Sequence, residues 1–179
     1  VQAYAYTDER GQYVPADEVE EGASNSAGEP TFTWHGETVN REFGKMGKSL
    51  KNIVTPDYMY ENYGADTFRL YEMSMGPLSE SRPWNTRNVV GGMRFLQRLW
   101  RNVVNEETGA CVVTDDALDE KTLKLLNNTI AEVTVEMEAM RPNTAIAKLI
   151  VLNNHLTSLP HVPRAAVELS LIHISERAG

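Results

Sequence analysis

Residues 44–52 have the sequence Gly-Lys-Met-Gly-Lys-Ser-Leu-Lys-Asn, and the rest of the chain is organised around this stretch. Lys45 and Lys48 lie three positions apart, with Gly47 between them and Ser49 after them. Gly44 and Gly47 predict a mobile loop whose backbone takes positive φ at little cost. Two ammonium groups on long stems suit an acceptor with many oxygens, such as a triphosphate. The same residue types are common in any solvated loop, however, and the five residues alone favour that plainer interpretation.

Two β-hairpins are predicted before this stretch. Residues 1–19 alternate as a strand does, with Tyr4 and Tyr6 on one face and a turn at 8–11. Residues 20–30 lack apolar periodicity and predict an exposed loop. Residues 31–39 predict a second hairpin with His35-Gly36 as its turn. The aromatic side chains favour cross-strand packing, with a stacking platform for bases as the alternative.

Two short helices are predicted directly after the lysine stretch. Thr55 fits an N-cap with Pro56 at the first helical position, and residues 57–63 then form a helix that Gly64 ends. Asp66 is the predicted cap of the next helix, which Gly76-Pro77 stops.

Thr86 to about Asn105 is the strongest helix prediction in the chain. Its apolar residues recur at spacings of four, three, four and three: Val89, Met93, Leu96, Trp100 and Val103. Gly92 lies near this stripe, which predicts close packing of another helix there. The opposite face carries a row of guanidinium groups at Arg87, Arg94, Arg98 and Arg101. Such a row could bind successive RNA phosphates, or it could be a solvated helix face with local ion pairs.

Two further helices complete a predicted antiparallel bundle. The first begins at Asp115-Asp116 and ends at Pro142, with an apolar stripe of Leu126, Ile130, Val133, Met137 and Met140. Asn143 is the predicted cap of the last one, which buries Ile146, Leu149, Ile150 and Leu156. The predicted fold class is therefore α+β, mainly α, with β-hairpins followed by a helical bundle.

Composition narrows the function classes. A formal net charge of −8 over 179 residues argues against indiscriminate coating of nucleic acid, so any RNA contact must come from a local basic face. Cys111 is the only cysteine, and the four histidines show no ligand spacing, so neither a disulfide nor a metal site is predicted. The chain opens on Val1 without a signal peptide or an apolar run of membrane-spanning length. We therefore expect an internal piece of a longer, soluble, intracellular protein.

Several motifs in order resemble one family. Residues 45–49 are similar to the K-M-S-K-S loop of class I aminoacyl-tRNA synthetases, and residues 63–71 (Tyr-Gly-Ala-Asp-Thr-Phe-Arg-Leu-Tyr) resemble the run that follows it there. Residues 76–78, 81–84 and 94–100 are similar to the leucyl-tRNA synthetases, and Gly47 resembles their actinobacterial branch. The resemblance covers residues 1–168 and fails over 169–179, which differ from the apolar helix expected there.

The resemblance implies an organisation and an activity. Residues 1–44 would end the catalytic region, 45–84 would hold the lysine loop and stem-contact helices, and 85–168 would be an incomplete anticodon-binding-type bundle. The family activates leucine with ATP and Mg²⁺, and then transfers it to tRNA(Leu). Lys45 and Lys48 match the catalytic lysines, and the ATP-binding loop would be Lys45, Met46, Gly47, Lys48 and Ser49. The bundle would dock the body of the tRNA, and our own hypothesis is that the arginine row contributes phosphate contacts there.

The same resemblance sets limits. No H-x-G-H tetrapeptide occurs in the chain, so we expect the isolated chain to be inactive and to need the remainder of the synthetase. Synthetases for isoleucine, valine or methionine are the nearest alternative, although Lys51 replaces the glycine expected there. A non-catalytic RNA-binding helical module is the alternative from another class.

Overall fold

A computed structural model describes the backbone of residues 2–175 and the side chains of residues 2–169. The chain folds into two compact units. The first takes the chain up to Asn62 together with Ser81–Thr86, and the second holds Tyr63–Glu80 and the chain from Arg87 onward.

The first unit is built on seven strands within the described residues. They are β1 (Gln2–Thr7), β2 (Tyr13–Val14), β3 (Glu20–Ser24), β4 (Pro30–Trp34), β5 (Glu37–Thr38), β6 (Asn40–Lys45) and β7 (Pro83–Trp84). β1 pairs antiparallel with β6 along its whole length, from Gln2 opposite Lys45 to Thr7 opposite Asn40. On its other edge β1 pairs antiparallel with β2 and, at Gln2 and Ala3, parallel with β7. β3, β4 and β5 form a second, antiparallel sheet.

The predicted second hairpin is confirmed. Thr33 pairs with Thr38 and Trp34 with Glu37, which leaves His35 and Gly36 as the turn, with φ of 50° and 84°. Positive φ at both central residues is what a type I′ hairpin turn of two residues requires. The predicted loop over residues 20–30 is wrong for its first half, because β3 pairs with β4 there. All five β3 residues are exposed, so no alternation marks the strand.

The aromatic residues pack between strands. Phe32 is buried with Val14 and Val39, and the Tyr6 ring lies 5.3 Å from the Phe32 ring, centroid to centroid. The Arg41 guanidinium lies 4.5 Å from the Phe32 ring centroid. These contacts confirm cross-strand packing for Phe32 and leave no free ring face there for a base.

The described residues also form six α-helices. They are α1 (Pro56–Tyr63), α2 (Ala65–Ser74), α3 (Thr86–Arg101), α4 (Glu120–Glu138), α5 (Pro142–Thr157) and α6 (Arg164–Ser175). The predicted cap of α1 is confirmed, since the Thr55 hydroxyl accepts a hydrogen bond from the backbone N–H of Tyr58 at 3.3 Å. The predicted cap of α2 is wrong. Gly64 occupies that position with φ 84°, while Asp66 lies inside the helix and pairs with Arg69 at 3.6 Å.

In the second unit, α3 packs against α2 as predicted for Gly92. A Cβ added at Gly92 would lie 3.5 Å from Leu70 Cδ2 and 3.6 Å from the Thr67 carbonyl oxygen. The predicted stripe of α3 is wrong for Trp100, which is 57% exposed. Phe95 is buried instead, because the face that meets its neighbours is rotated from the stripe read off the sequence.

The predicted start of α4 is also wrong. α4 begins at Glu120, and the Asp119 carboxylate caps it by accepting from the Thr122 N–H at 2.7 Å. Asp115 accepts instead from Arg164 Nε at 2.8 Å. α5 begins at Pro142, and the Asn143 side chain does not cap it.

α4 and α5 run antiparallel, as predicted. Lys148 pairs with Glu132 at 3.0 Å, and Thr122 Oγ1 lies 2.8 Å from His155 Nε2. The core between α4, α5 and α6 consists of Leu126, Leu152, Leu156 and Ala166. The predicted non-matching tail, residues 169–179, is α6 backbone as far as Ser175, and its last four residues lie outside the described chain. No helix within residues 2–175 is both long enough and apolar enough to span a bilayer.

Candidate functional site

The lysine stretch runs from the end of a strand into a tight turn. Lys45 is the last residue of β6 and lies opposite Gln2 of β1. Lys48 begins a single 3-10 turn, Lys48–Leu50, which is closed by hydrogen bonds from Leu50 N to the Gly47 carbonyl and from Lys51 N to the Lys48 carbonyl. The first lysine is thus held by a sheet and the second by a turn.

A buried amide joins the two halves of this loop. Asn52 is only 3% exposed, and its Oδ1 accepts a hydrogen bond from the Gly47 N–H at 2.9 Å. Its Nδ2 donates to the Lys45 carbonyl at 3.3 Å. The sequence placed Asn52 in the stretch but gave it no role. Two features of the sequence could have indicated a role for Asn52. It follows a short loop, and its side chain has both a hydrogen-bond donor and an acceptor.

The backbone freedom expected of the glycines is not used in this conformation. Gly47 has φ −170°, which is extended backbone, and neither Gly44 nor Gly47 has positive φ. Lys51 instead takes the left-handed conformation, with φ 49° and ψ 33°. Its carbonyl accepts a hydrogen bond from Ala16 N at 3.0 Å, which ties the end of the loop to the segment after β2. The left-handed turn at Lys51 directs the chain so that Asn52 lies beneath the loop.

The loop presents its cations to solvent. Lys45, Lys48 and Ser49 are exposed, while Met46 and Gly47 are half-buried. Among residues 2–169, no carboxylate forms an ion pair with Lys45 or Lys48. Two uncompensated ammonium groups on a braced loop can stabilise negative charge on a multidentate anion.

The four arginines of the predicted row share α3 but differ in surroundings. Arg87 and Arg94 are exposed near the start and middle of the helix. Arg101 is exposed and pairs through Nε with Glu106 Oε2 at 2.9 Å. Arg98 is half-buried, and its Nε is buried without a hydrogen-bond partner in the described chain. Arg94 is therefore the member whose charge is most plainly available to a partner.

A strand-bounded lysine loop in a β-rich unit, with a separate helical unit after it, fits the class I aminoacyl-tRNA synthetases that the sequence resembles. No protein-family model matches the chain. The chain is 85% identical over 168 residues to the leucine–tRNA ligase of Bifidobacterium longum strain DJO10A, covering 94% of this chain and 17% of that protein. It is 79% identical over 175 residues to that of Bifidobacterium adolescentis, covering 98% of the chain and 18% of the relative.

A more distant relative gives the same family. The leucine–tRNA ligase of Mycolicibacterium vanbaalenii is 56% identical over 182 aligned positions, which cover 99% of the chain and 18% of that protein. The chain belongs to the leucine–tRNA ligase family, as a segment. It spans about 17% of the length of the curated relatives it matches. The actinobacterial resemblance is confirmed. The relatives favour the leucyl-tRNA synthetases over the alternative synthetases for isoleucine, valine and methionine.

Proposed function

We propose that this chain is the part of a leucine–tRNA ligase that supplies the ATP-facing lysine loop and a tRNA-docking helical unit. The whole ligase would activate leucine with ATP and then transfer it to tRNA(Leu), in the cytoplasm. The observation that carries the proposal is the 85% identity to a leucine–tRNA ligase over the lysine loop and both units. The exposure of Lys45 and Lys48, without carboxylate partners in residues 2–169, supports the assignment of the loop.

Lys45 and Lys48 would hold the triphosphate and stabilise the charge that develops as pyrophosphate leaves. Bound Mg²⁺ would neutralise phosphate charge during the displacement. No set of three His, Cys, Asp or Glu side chains in the described chain is arranged to bind a metal ion. This segment fits the nucleotide through its cations, and Mg²⁺ would be carried by the phosphates and the remainder of the synthetase.

The test is leucine-dependent pyrophosphate exchange in a full-length ligase that carries this segment. Lys48→Ala should lower kcat by a factor on the order of 10², the usual loss for one preorganised donor of transition-state charge. Lys124→Ala is the matched control, because Lys124 is also an exposed lysine but lies on α4. Equal activity of the two variants would refute the role of the loop. The isolated chain should show no exchange, because it has no H-x-G-H motif.

For the helical unit, we propose that the exposed face of α3 contacts tRNA phosphates through Arg87, Arg94, Arg98 and Arg101. Arg94 tests this most cleanly because it is exposed, whereas reversing Arg98 would bury a carboxylate. Arg94→Glu should raise the KM for tRNA and lower the slope of log affinity against log salt by about 1 per lost phosphate contact. Lys124→Glu on α4 is the control, since Lys124 is an exposed helical cation outside the row and outside residues 45–84. An unchanged KM would favour the solvated-face interpretation.

A further inference from the structure

We propose that Asn52 is a positioning residue for the activation step, whose buried amide holds Lys45 and Lys48 in one shared geometry. This proposal rests on the proposed function, since it assigns a task to Asn52 only if the lysine loop binds the triphosphate. It extends that function from the lysines, which present charge, to the group that fixes where the charge lies.

The side chain of Asn52 forms hydrogen bonds with the two peptide groups that flank Met46. One bond reaches the Lys45 carbonyl at the end of β6, and the other reaches the Gly47 N–H just before the turn that begins at Lys48. The amide therefore links the strand that carries the first ammonium group to the turn that carries the second. Within residues 2–169, no other side chain forms a hydrogen bond to the backbone between the end of β6 and the 3-10 turn.

The task needs an amide of this length. One atom must accept from an N–H and another must donate to a carbonyl, and a short amide carries the acceptor and the donor on two separate atoms, whereas a hydroxyl has a single oxygen. A carboxylate would lose the donor, and an apolar side chain of similar shape would lose both bonds. Because Asn52 is 3% exposed, water cannot replace these bonds without opening the loop. The Lys51 backbone, in the left-handed conformation, brings the amide into place.

Preorganisation of the loop should matter most when charge accumulates on the leaving pyrophosphate. We therefore expect Asn52→Leu to act on kcat for exchange more than on the KM for ATP. In the full-length ligase, kcat should fall about tenfold to thirtyfold, the factor expected from losing two hydrogen bonds that hold transition-state groups, while the KM for ATP changes less than threefold. Transfer of leucine from preformed leucyl-adenylate to tRNA should be unchanged, because no triphosphate takes part in that step.

The matched control is Asn153→Leu in α5. Asn153 is also 3% exposed and hydrogen-bonded to a side chain, that of Asn102, but it lies in the helical unit. It should leave the kcat for exchange within twofold after normalisation to the folded fraction, which is measured for each variant by circular dichroism.

Three results would overturn the inference: an unchanged kcat in Asn52→Leu, an equal loss in the exchange and transfer steps, or an equal loss in Asn153→Leu. Lys48→Ala separates this inference from the proposed function. If Lys48→Ala leaves exchange intact, the proposed role of the loop fails. If Lys48→Ala impairs exchange and Asn52→Leu does not, only the role of Asn52 fails.

Discussion

Replacing Gly47 with serine should stabilise the chain, even though a glycine stands at the centre of the lysine loop. The Gly47 backbone is extended, with φ −170° and ψ 154°, which any residue adopts. A Cβ added there meets no other heavy atom within 4 Å. Serine therefore introduces neither strain nor a clash, and it removes conformational freedom from the unfolded chain. The expected gain is about 0.4–1 kcal/mol in the free energy of unfolding.

Gly36→Ser is the matched control in the same unit. A Cβ at Gly36 also has open space within 4 Å, but φ there is 84°. A side chain in left-handed backbone costs about 1–2 kcal/mol, so this variant should be destabilised. The two substitutions are chemically identical and meet the same free space. Only the sign of φ should separate them, by about 2 kcal/mol.

Urea unfolding of the 179-residue chain, followed by circular dichroism, measures the difference. With a typical slope of about 2 kcal/mol per molar urea, the two midpoints should differ by about 1 M. In the full-length ligase, Gly47→Ser should keep its pyrophosphate exchange, since serine stands at this position in the motif the loop resembles. If Gly47→Ser were destabilised as much as Gly36→Ser, the loop would need positive φ at Gly47, and the conformation described above would be refuted.

The helical unit gives two further predictions. Thr122 is fully buried, and its hydroxyl donates to Asp119 Oδ2 at 2.8 Å, so Thr122→Val should cost about 1–3 kcal/mol in chemical denaturation. Thr129→Val should be nearly neutral, because the Thr129 hydroxyl bonds only a carbonyl of its own helix, and an equal loss in both variants would argue against the α4 cap. Acid should weaken the same unit: the hydrogen bond from the Thr122 N–H lowers the pKa of Asp119 below 3.8, and that from Arg141 lowers the pKa of Glu136 below 4.5. Each carboxylate then contributes stability that is complete above its unfolded pKa and is lost as pH falls through its folded pKa. Melting temperatures of Asp119→Asn and Glu136→Gln should lie below wild type at pH 7 and converge with it toward pH 2, and a constant difference would contradict this reasoning.

Features governed by neighbouring residues in sequence could be predicted. The turn at His35-Gly36 depends on residues that tolerate positive φ, and the start of α1 depends on Thr55 followed by Pro56. Both were confirmed, since each depends on the residue types of adjacent positions.

Features decided by contacts between residues distant in sequence could not be predicted. The sequence predicted that α4 starts at Asp115-Asp116, but Asp119 caps the helix, while Asp115 is engaged by Arg164, 49 residues later. β3 has no hydrophobic face of its own, so only its pairing with β4 defines it.

The candidate site likewise has features that the sequence predicted and features that it did not. The motif gave Lys45 and Lys48, and the structure places both at the surface. The hydrogen bonds from Asn52 to the loop could not be predicted from the sequence, because they depend on a left-handed backbone at Lys51. Lysine rarely adopts that conformation.

The strand β7 has a practical consequence for anyone producing the first unit alone. The chain leaves that unit after Asn62 and comes back at Ser81 to lay Pro83 and buried Trp84 beside β1. A protein cut after Asn62 would expose the β1 edge at Gln2 and Ala3, with its amide and carbonyl groups free to recruit a strand from another molecule. A glycine-serine linker in place of residues 63–80 would keep the edge covered, and this variant should remain monodisperse where the simple truncation precipitates.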